Sequence, residues 1–352
     1  MAAGNFTASE LQLVTLKAAQ FYKDNTALYM PEANSAIAVL ENQTARFKEF
    51  EDVNKDKKVK VTWLDACGIV AEDCEETCEI TEDELESKSK QYEPNICKKA
   101  GFSVDSRKLR TNDYTGDEII LEGTNAAIKA LDEFWAQQVL QKLSTFAGVN
   151  VFPSPYSYDN ALKTTLVPEA NYNLKLLANW IQQAKLNRIA NPYFIDNGSL
   201  FLEMINAKLQ AGNADGAGDA SRLAQLSKLL YDDQFNFGAA GITEDTFLIG
   251  KNAVAMQTVN KVADKPTVIG GNVGVTTYTV KSLVLPNVKY DVEYTVVCKV
   301  VNGKKTYVHT WRFTTYGLVE LNPQGCPVTI GGVTATPTGV LSYTKGGGIV
   351  AP

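Results

Sequence analysis

The feature that most constrains the fold is a two-residue turn inside residues 288–316. Asn302-Gly303 separates two runs of alternating apolar and polar residues, the strongest short-range signal for a hairpin with a type I′ turn. The turn predicts that Val301 pairs with Lys304 and that earlier residues pair outward in step. Each arm has about 12 residues at about 3.3 Å each, so the predicted ribbon is roughly 40 Å long. A two-stranded ribbon is only marginally stable alone, so something long must pack against it.

The predicted register sorts the side chains of the ribbon into two faces. One face carries the pairs Cys298 with Tyr307, Val296 with His309, Tyr294 with Trp311, and Val292 with Phe313. The other face carries the pairs Val297 with Val308, Thr295 with Thr310, and Glu293 with Arg312. Cross-strand pairs of these types each contribute roughly 0.2–1 kcal/mol, and a slip by one residue would turn the aromatic row to solvent. The register is therefore strongly specified, and the aromatic face requires a partner.

The predicted partner is the longest helical pattern in the chain, at about residues 124–147. Apolar residues recur there at spacings of three and four, namely Ile128, Leu131, Trp135, Val139, Leu143 and Phe146. Thr124 is the predicted N-cap and Gly148 the predicted C-terminal stop. About 24 residues at a rise of 1.5 Å give roughly 36 Å, which matches the ribbon. We therefore predict that this helix lies across the aromatic face.

The other segments are predicted from the same periodicities. Residues 1–50 are interpreted as an arm, and residues 51–118 as an extended acidic loop with an insertion, followed by a strand-like Ile119-Ile120-Leu121. Further elements are predicted as helices at about 172–190, 198–210 and 219–232, and as buried strands from Thr246 to Ile249 and from Ala253 to Met256. The rest of the chain is predicted to be mostly strands and turns. The sequence therefore predicts a mixed α+β protein.

The composition is that of a soluble globular protein, with 45% hydrophobic and 21% charged residues. A net charge of −6 argues against general binding to nucleic acids or anionic membranes, which depends on clustered lysine and arginine. Residues 51–118 hold 18 of the 40 acidic residues against 11 of the 34 basic ones. Neither a secretory leader nor an apolar run of about 18 residues is recognisable. We expect a protein made inside the cell, with no membrane partner.

The acidic loop carries four clustered cysteines as candidate zinc ligands: Cys67, Cys74, Cys78 and Cys97. Only Cys74 and Cys78 have the C-x₂₋₄-C spacing that such a site prefers, and the neighbouring acids disfavour thiolates. Disulfides formed after release from the cytosol and free thiols are the two other hypotheses. Cys298 is expected in the core and Cys326 in a loop.

No catalytic constellation stands out elsewhere in the sequence. His309 is the only histidine, which excludes a multi-histidine metal site, and its mid-strand position favours a packed histidine over a triad member. The carboxylate pairs Asp232-Asp233 and Glu244-Asp245 are interpreted as exposed residues of helix ends and loops. The glycine-rich run Gly212–Asp219 lacks the phosphate-loop and dinucleotide patterns. We therefore predict no cofactor and no enzymatic activity.

The order of these parts resembles the major capsid protein of tailed bacteriophages, the Hong Kong 97-type fold that encapsulins share. The resemblance extends to Asn191-Pro192-Tyr193-Phe194-Ile195-Asp196 running into Phe201, then Phe247 to Met256, and then Asn322-Pro323 with Gly325-Cys326. In that family a spine helix lies across a long peripheral-domain sheet, an extended loop precedes the spine, and an axial domain lies in mid-chain. The cysteine-bearing insertion in the loop departs from the pattern.

The resemblance implies a division of the chain into five parts. These are an N-terminal arm (1–50), an extended loop (51–118), a peripheral domain with the spine helix (119–154), a helical and β axial domain (155–280), and a return to the peripheral domain with the long hairpin and a C-terminal tail (281–352). The implied fold class is thus α+β, with a long spine helix on a long β-ribbon.

The implied function is that of a structural protein. Copies of the chain would form the pentamers and hexamers of an icosahedral shell around double-stranded DNA, held non-specifically. Implied partners are scaffold, portal and decoration proteins, and the implied location is the virion after assembly in the host cytoplasm. An encapsulin-like compartment is one alternative. A surface-displayed β-rich binding module is another.

Overall fold

The structure is a computed structural model of the 352-residue chain. It describes residues 17, 36, 39–40, 47–51, 56–65, 67, 86–107, 116–150, 152, 154–174, 176–189, 192–203, 206, 229–232, 244–251, 253–261, 268–269, 275–282, 284–285, 288–322, 326–330 and 332–346. Most of the predicted arm, Cys74, Cys78 and the run Gly212–Asp219 lie outside the described residues.

The long hairpin forms with the predicted register. Its strands are β13 (Lys289–Val301) and β14 (Lys304–Leu321), and they pair antiparallel from Val301 with Lys304 to Asp291 with Thr314. Asn302 and Gly303 have φ angles of 52° and 73°, as a type I′ turn requires at both central positions. The predicted register is therefore confirmed.

The hairpin is the centre of a six-stranded sheet, here called the ribbon sheet. Its other strands are β4 (Ile96–Asp105), β10 (Val254–Val259), β11 (Val268–Ile269) and β12 (Val275–Lys281). The order is β10-β14-β13-β12-β11, and β4 also pairs with β14. β14 has 18 residues and pairs with β13 at residues 304–314, with β4 at residues 308–317 and with β10 at residues 316–321. Because Tyr316 and Gly317 pair with both β4 and β10, these two strands lie on opposite edges of β14.

The long helix, α1 (Gly116–Phe146), begins earlier than predicted. The strand prediction for Ile119-Ile120-Leu121 and the N-cap prediction for Thr124 are wrong, since all four residues are helical. Ile120 and Thr124 are both 1% exposed and extend the apolar stripe of the helix by another turn. Gly123 marks a close approach, because a Cβ there would lie 2.6 Å from the Phe102 ring. The helix ends at Phe146, two residues before Gly148, as predicted.

Helix α1 packs on the aromatic face of the ribbon sheet, so the predicted contact is present. The indole Nε1 of Trp135 donates to Thr315 Oγ1 at 3.0 Å, and Lys142 Nζ donates to the carbonyl of Val319 at 3.2 Å. Tyr290 donates its hydroxyl hydrogen bond to Asp132. Trp135 is fully buried in one core with both strands of the hairpin. This contact joins segments about 180 residues apart in sequence.

A second six-stranded sheet lies in the middle of the chain. In spatial order its strands are β5 (Ser157–Asp159), β6 (Thr164–Val167), β17 (Val340–Lys345), β9 (Glu244–Ile249), β7 (Tyr193–Asp196) and β8 (Leu229–Tyr231). The helix α2 (Leu176–Leu186) covers it through Trp180, which stacks on Phe194 at 5.7 Å. The predicted strands at 246–249 and 253–256 are confirmed as parts of β9 and β10.

One helix prediction fails in this region. Residues 229–231 pair with β7 as a parallel strand, so the helix predicted over 219–232 is wrong at its C-terminal end. The pair Leu229-Leu230 fits the spacing of either a helix or a buried strand, and pairing with a strand more than 30 residues upstream decides between them. Residues 199–203 and 206 are helical, which agrees with the separate helix predicted at about 198–210.

Two smaller sheets complete the described chain. A three-stranded antiparallel sheet, here called the loop sheet, contains β1 (Phe47–Glu51), β2 (Lys57–Asp65) and β3 (Glu86–Tyr92). It packs on the ribbon sheet through an apolar cluster of Phe47, Val59, Val61, Ala255, Val259 and Leu318. A two-stranded hairpin consists of β15 (Val328–Ile330) and β16 (Val333–Ala335). The predicted mixed α+β class is confirmed.

Candidate assembly interface

The outer face of the ribbon sheet, opposite α1, is covered by the loop sheet at Ala255, Val259 and Leu318 but is polar and open along the hairpin nearer its tip. Arg312 and Glu293 pair across the hairpin, with 3.2 Å between Nη1 and Oε2, as the register predicts. Their side chains are 59% and 37% exposed, so this ion pair adds little stability. The uncovered part of this face therefore presents polar side chains to solvent.

A groove interrupts this face where β4 lies beside β14. Gly101 is the partner of Arg312, and a Cβ at Gly101 would lie 2.4 Å from the carbonyl oxygen of Trp311. A groove of about 410 Å³ lies here, lined on the outer face by Lys99, Gly101, Ser103, Thr310 and Arg312. Beneath it, Phe102 stacks on Trp311 with ring centroids 4.8 Å apart. Aromatic packing thus holds β4 in place while its outer face stays open.

The tip of the hairpin carries exposed apolar and basic side chains together. Val300 is 65% exposed, and Tyr307 and Val297 are 41% and 37% exposed. The basic side chains there are those of Lys299, Lys304 and Lys305, all exposed. Apolar side chains exposed on a projecting ribbon are typical of a surface that contacts another protein.

The tip also corrects one prediction. Cys298 was expected in the core, but it is an exposed free thiol. The physical reason is the position of α1, whose first turns lie beside Phe102 and therefore opposite Trp311, short of the tip. The aromatic face of the hairpin is longer than the helix that covers it, so Cys298 and Tyr307 remain outside.

The cysteines of the acidic loop separate in the structure. Cys67, just after β2, forms a disulfide with Cys326, just before β15. Cys97 is an exposed free thiol on β4, and Cys74 and Cys78 lie outside the described residues. Across the described ranges, no group of three metal-ligating side chains comes together. The zinc hypothesis for the four cysteines stays a prediction. In this structure Cys67 is bonded to Cys326, which is not one of the four.

His309 is packed inside the ribbon sheet, in agreement with the packed-histidine interpretation. It is 3% exposed, and its Nδ1 lies 2.6 Å from the hydroxyl oxygen of Tyr294. Its ring stacks on Tyr294 and Trp311 at centroid distances of 6.0 and 6.2 Å. Burial lowers the pKa of His309 because the protonated ring loses its hydration.

A buried carboxylate cluster lies at one end of the second sheet. Asp196 ends β7 and is fully buried, while Glu244 and Asp245 begin β9 and are each 3% exposed. Asp196 Oδ1 accepts from Thr246 Oγ1 at 2.7 Å, and its Oδ2 accepts from the backbone N–H of Phe201 at 3.1 Å. The carboxylates thus satisfy backbone donors where the helical residues begin.

Glu244 is held by three donors. Its Oε1 accepts from the N–H of Leu200 at 2.8 Å, and its Oε2 accepts from Ser199 Oγ at 2.7 Å and from Lys345 Nζ at 3.1 Å. Burial alone would raise the pKa of Glu244, but these donors outweigh it, so the pKa is lowered. Burial, reinforced by the charge of Glu244, raises the pKa of Asp196 to about 7.

Sequence reasoning missed this cluster. The interpretation of Glu244-Asp245 as an exposed pair is wrong, because both side chains are buried and hydrogen-bonded between strands. Asp196 was not singled out, although Asp196-Asn197-Gly198-Ser199 ahead of Phe201 is a helix-start signal. The cluster combines β7, β9 and β17, which are distant in sequence, so no local spacing reveals it.

The described residues contain no helix that is long and apolar enough to cross a membrane. No family model matches the chain, and no curated protein matches it either. Matches are found among solved structures, and several of them are capsid structures of phages.

One matching structure is the Cyanophage A-1(L) capsid asymmetric unit, at 12% identity and a TM-score of 0.42, covering 88% of this chain and 92% of that one. Another is the capsid of Cyanophage P-SCSP1u, at 8% identity and a TM-score of 0.41, covering 86% and 90%. The capsid of Ralstonia phage GP4 matches at 12% identity and a TM-score of 0.39, covering 84% and 85%. Since these TM-scores are below 0.5, functional inference rests on the geometry of the chain itself.

Proposed function

We propose that the chain is a structural capsid protein whose copies assemble into an icosahedral shell around double-stranded DNA. The observation that carries the proposal is the packing of α1 across one face of a long ribbon, whose tip is exposed and whose opposite face is open beyond the part that the loop sheet covers. A ribbon supported along one face can contact neighbouring copies through the other face and the tip. The arrangement suits lateral contact between copies better than it suits catalysis.

We assign the parts of the chain by the resemblance. α1 is the spine helix, residues 119–154 and 281–352 form the peripheral domain, residues 155–280 form the axial domain, and residues 51–118 form the extended loop after an N-terminal arm (1–50). The pairing of β4, β10 and β12 with the hairpin is consistent with a broad peripheral sheet that receives strands from neighbouring parts of the chain.

In the proposed shell, each contact repeats between identical chains. The exposed apolar tip and the grooved outer face of the ribbon sheet meet neighbouring copies, and axial domains meet at the centres of pentamers and hexamers. A net charge of −6 suits a shell that encloses DNA but binds it weakly, because negative charge disfavours tight contact with the phosphates. Scaffold, portal and decoration proteins are proposed partners. The virion is the proposed location after assembly in the host cytoplasm.

Electron microscopy of the purified full-length protein tests the proposal directly. Polyhedral particles, or rings of five and six copies, are expected, and a monomer at all salt and protein concentrations would overturn it. Val300→Asp is expected to reduce particle yield at least tenfold, because it places a charge in the apolar tip. Val149→Asp is the matched control, since Val149 is 40% exposed but follows the end of α1, away from the tip.

The contents of native particles separate a capsid from a compartment. Double-stranded DNA that resists nuclease in intact particles would support the capsid. Protein cargo without DNA would instead favour the encapsulin-like alternative, which shares the same fold.

A further inference from the structure

In the part of the chain that the structure describes, the loop sheet is attached to the ribbon sheet by a small apolar cluster and not by strand pairing. Within the described part of the chain, none of β1, β2 and β3 pairs with a strand of another sheet. Among the described residues, its apolar contact with the ribbon sheet has six buried residues, three from each side, with the partly buried Trp63, Tyr92 and Tyr316 packed against them. Its ion pairs are local, such as Lys57 with Glu49 at 3.2 Å and Lys58 with Glu93 at 3.1 Å. Such a small cluster is separate from the core that holds α1 on the ribbon sheet.

One covalent bond adds to this weak attachment. Cys67 follows the end of β2, and its disulfide to Cys326 joins positions 259 residues apart. Cys67 is exposed and Cys326 is partly exposed, so small thiols and disulfides in solution can reach the bond. A bond that closes so long a loop constrains the chain strongly, and one that solvent reaches is open to exchange.

We propose that the Cys67–Cys326 pair is a redox-controlled clasp that determines how firmly the loop sheet is docked on the ribbon sheet. The chemical partner is a low-molecular-weight disulfide of the oxidised-glutathione class. The Cys67 thiolate attacks one sulfur of that disulfide, forms a mixed disulfide and releases one small thiolate. The Cys326 thiolate then attacks the Cys67 sulfur and releases the second. The two protein thiols lose two electrons and two protons, and the small disulfide is reduced to two thiols.

The clasp has two states with different docking. In a reducing cytosol both cysteines are thiols, and the loop sheet is held by the apolar cluster without the covalent bond. In an oxidising solution the disulfide forms. If the loop sheet then detaches, the disulfide keeps it close to the ribbon sheet, so that it docks again readily. The timing of closure, after a particle leaves the cell, rests on the proposed function. The clasp itself does not depend on assembly.

Thiol counting and peptide mapping of the full-length protein test the bond. The protein has six cysteines, and treatment with oxidised glutathione is expected to yield a linked peptide containing Cys67 and Cys326, with glutathione on neither residue. Exposed free thiols such as those of Cys97 and Cys298 instead form mixed disulfides with glutathione. Six reactive thiols after oxidation would overturn the proposal. So would a linked peptide that pairs Cys67 with Cys74 or Cys78.

Hydrogen exchange tests the effect on docking. In wild-type protein, reduction is expected to speed amide exchange in β1 and β2 about tenfold or more, while exchange in β13 and β14 stays unchanged. Wild-type protein needs only a reductant for this comparison, so no variant has to fold. Equal exchange in the reduced and oxidised states would overturn the proposal.

Variants identify the cysteines that are responsible. Cys67→Ser and Cys326→Ser are each expected to show fast exchange in β1 and β2 whatever the redox state. Cys97→Ser and Cys298→Ser are the controls, because both residues are exposed free thiols and should leave the redox response intact. Loss of the response in either control would overturn the assignment. Particle formation is measured separately, so a failed clasp and a failed shell give different results.

Discussion

At the scale of single residues, the carboxyl pair Asp196 and Glu244 makes the molecule sensitive to pH. The pKa of Asp196 is raised to about 7 from its ordinary 3.8, so its contribution to stability is full in acid, below about pH 4, and is lost as the pH rises to about 7. The pKa of Glu244 is lowered, so its contribution is present above the ordinary value of 4.5 and is lost as the pH falls through the folded-state value.

We therefore expect the Asp196→Asn variant to lose this pH dependence. Between about pH 4 and pH 7, the free energy of unfolding should fall further in wild type than in the variant. The difference between the two falls should be on the order of 2–4 kcal/mol. Urea unfolding at several pH values measures the difference. Glu133→Gln is the control, because its carboxylate is 39% exposed in an i, i+4 pair with Lys129. Parallel curves for wild type and Asp196→Asn would show that Asp196 ionises normally.

At the scale of elements, the hydrogen bond between Trp135 and Thr315 links α1 to β14 across the core. Trp135→Phe keeps most of the ring but leaves the Thr315 hydroxyl without its indole donor, which should cost about 1–3 kcal/mol. Thermal or urea unfolding of Trp135→Phe, Thr315→Val and the double variant forms a thermodynamic cycle. The double variant is expected to be more stable than the sum of the single effects predicts, and strict additivity would mean that the bond contributes nothing.

The same elements show what the sequence can and cannot predict. The register of β13 and β14 followed from Asn302-Gly303, because turn chemistry and alternation act over neighbouring residues. The start of α1 did not, because Gly123, next to the predicted N-cap Thr124, lies inside the helix, where it allows the close packing of Phe102. The local spacing of apolar residues predicts a helix end where β8 forms, because the strand that pairs with β8 is remote in sequence. The Asp196 cluster and the Cys67–Cys326 bond were missed for the same reason, since both join segments distant in sequence.

At the scale of the whole molecule, charge is unevenly distributed. The chain has a net charge of −6, yet the tip of the hairpin carries Lys299, Lys304 and Lys305 without an acidic residue between 298 and 307. In a shell of identical chains, a basic tip that meets a predominantly acidic neighbour gains from electrostatic attraction, which salt screens over about 10 Å at 0.1 M. Assembly through the tip should therefore weaken as the salt concentration rises.

We expect a combined Lys304→Glu and Lys305→Glu variant to assemble at least tenfold less than wild type at low salt, because the tip then repels an acidic neighbour. Light scattering or sedimentation across a salt series measures this, and the deficit should shrink as salt screens the repulsion. Lys129→Glu on α1 is the control, since Lys129 is partly exposed on the face of the helix that pairs with Glu133. A deficit that does not change with salt would mean that the tip contacts its neighbour through Val300 and Tyr307 alone, with charge playing no part.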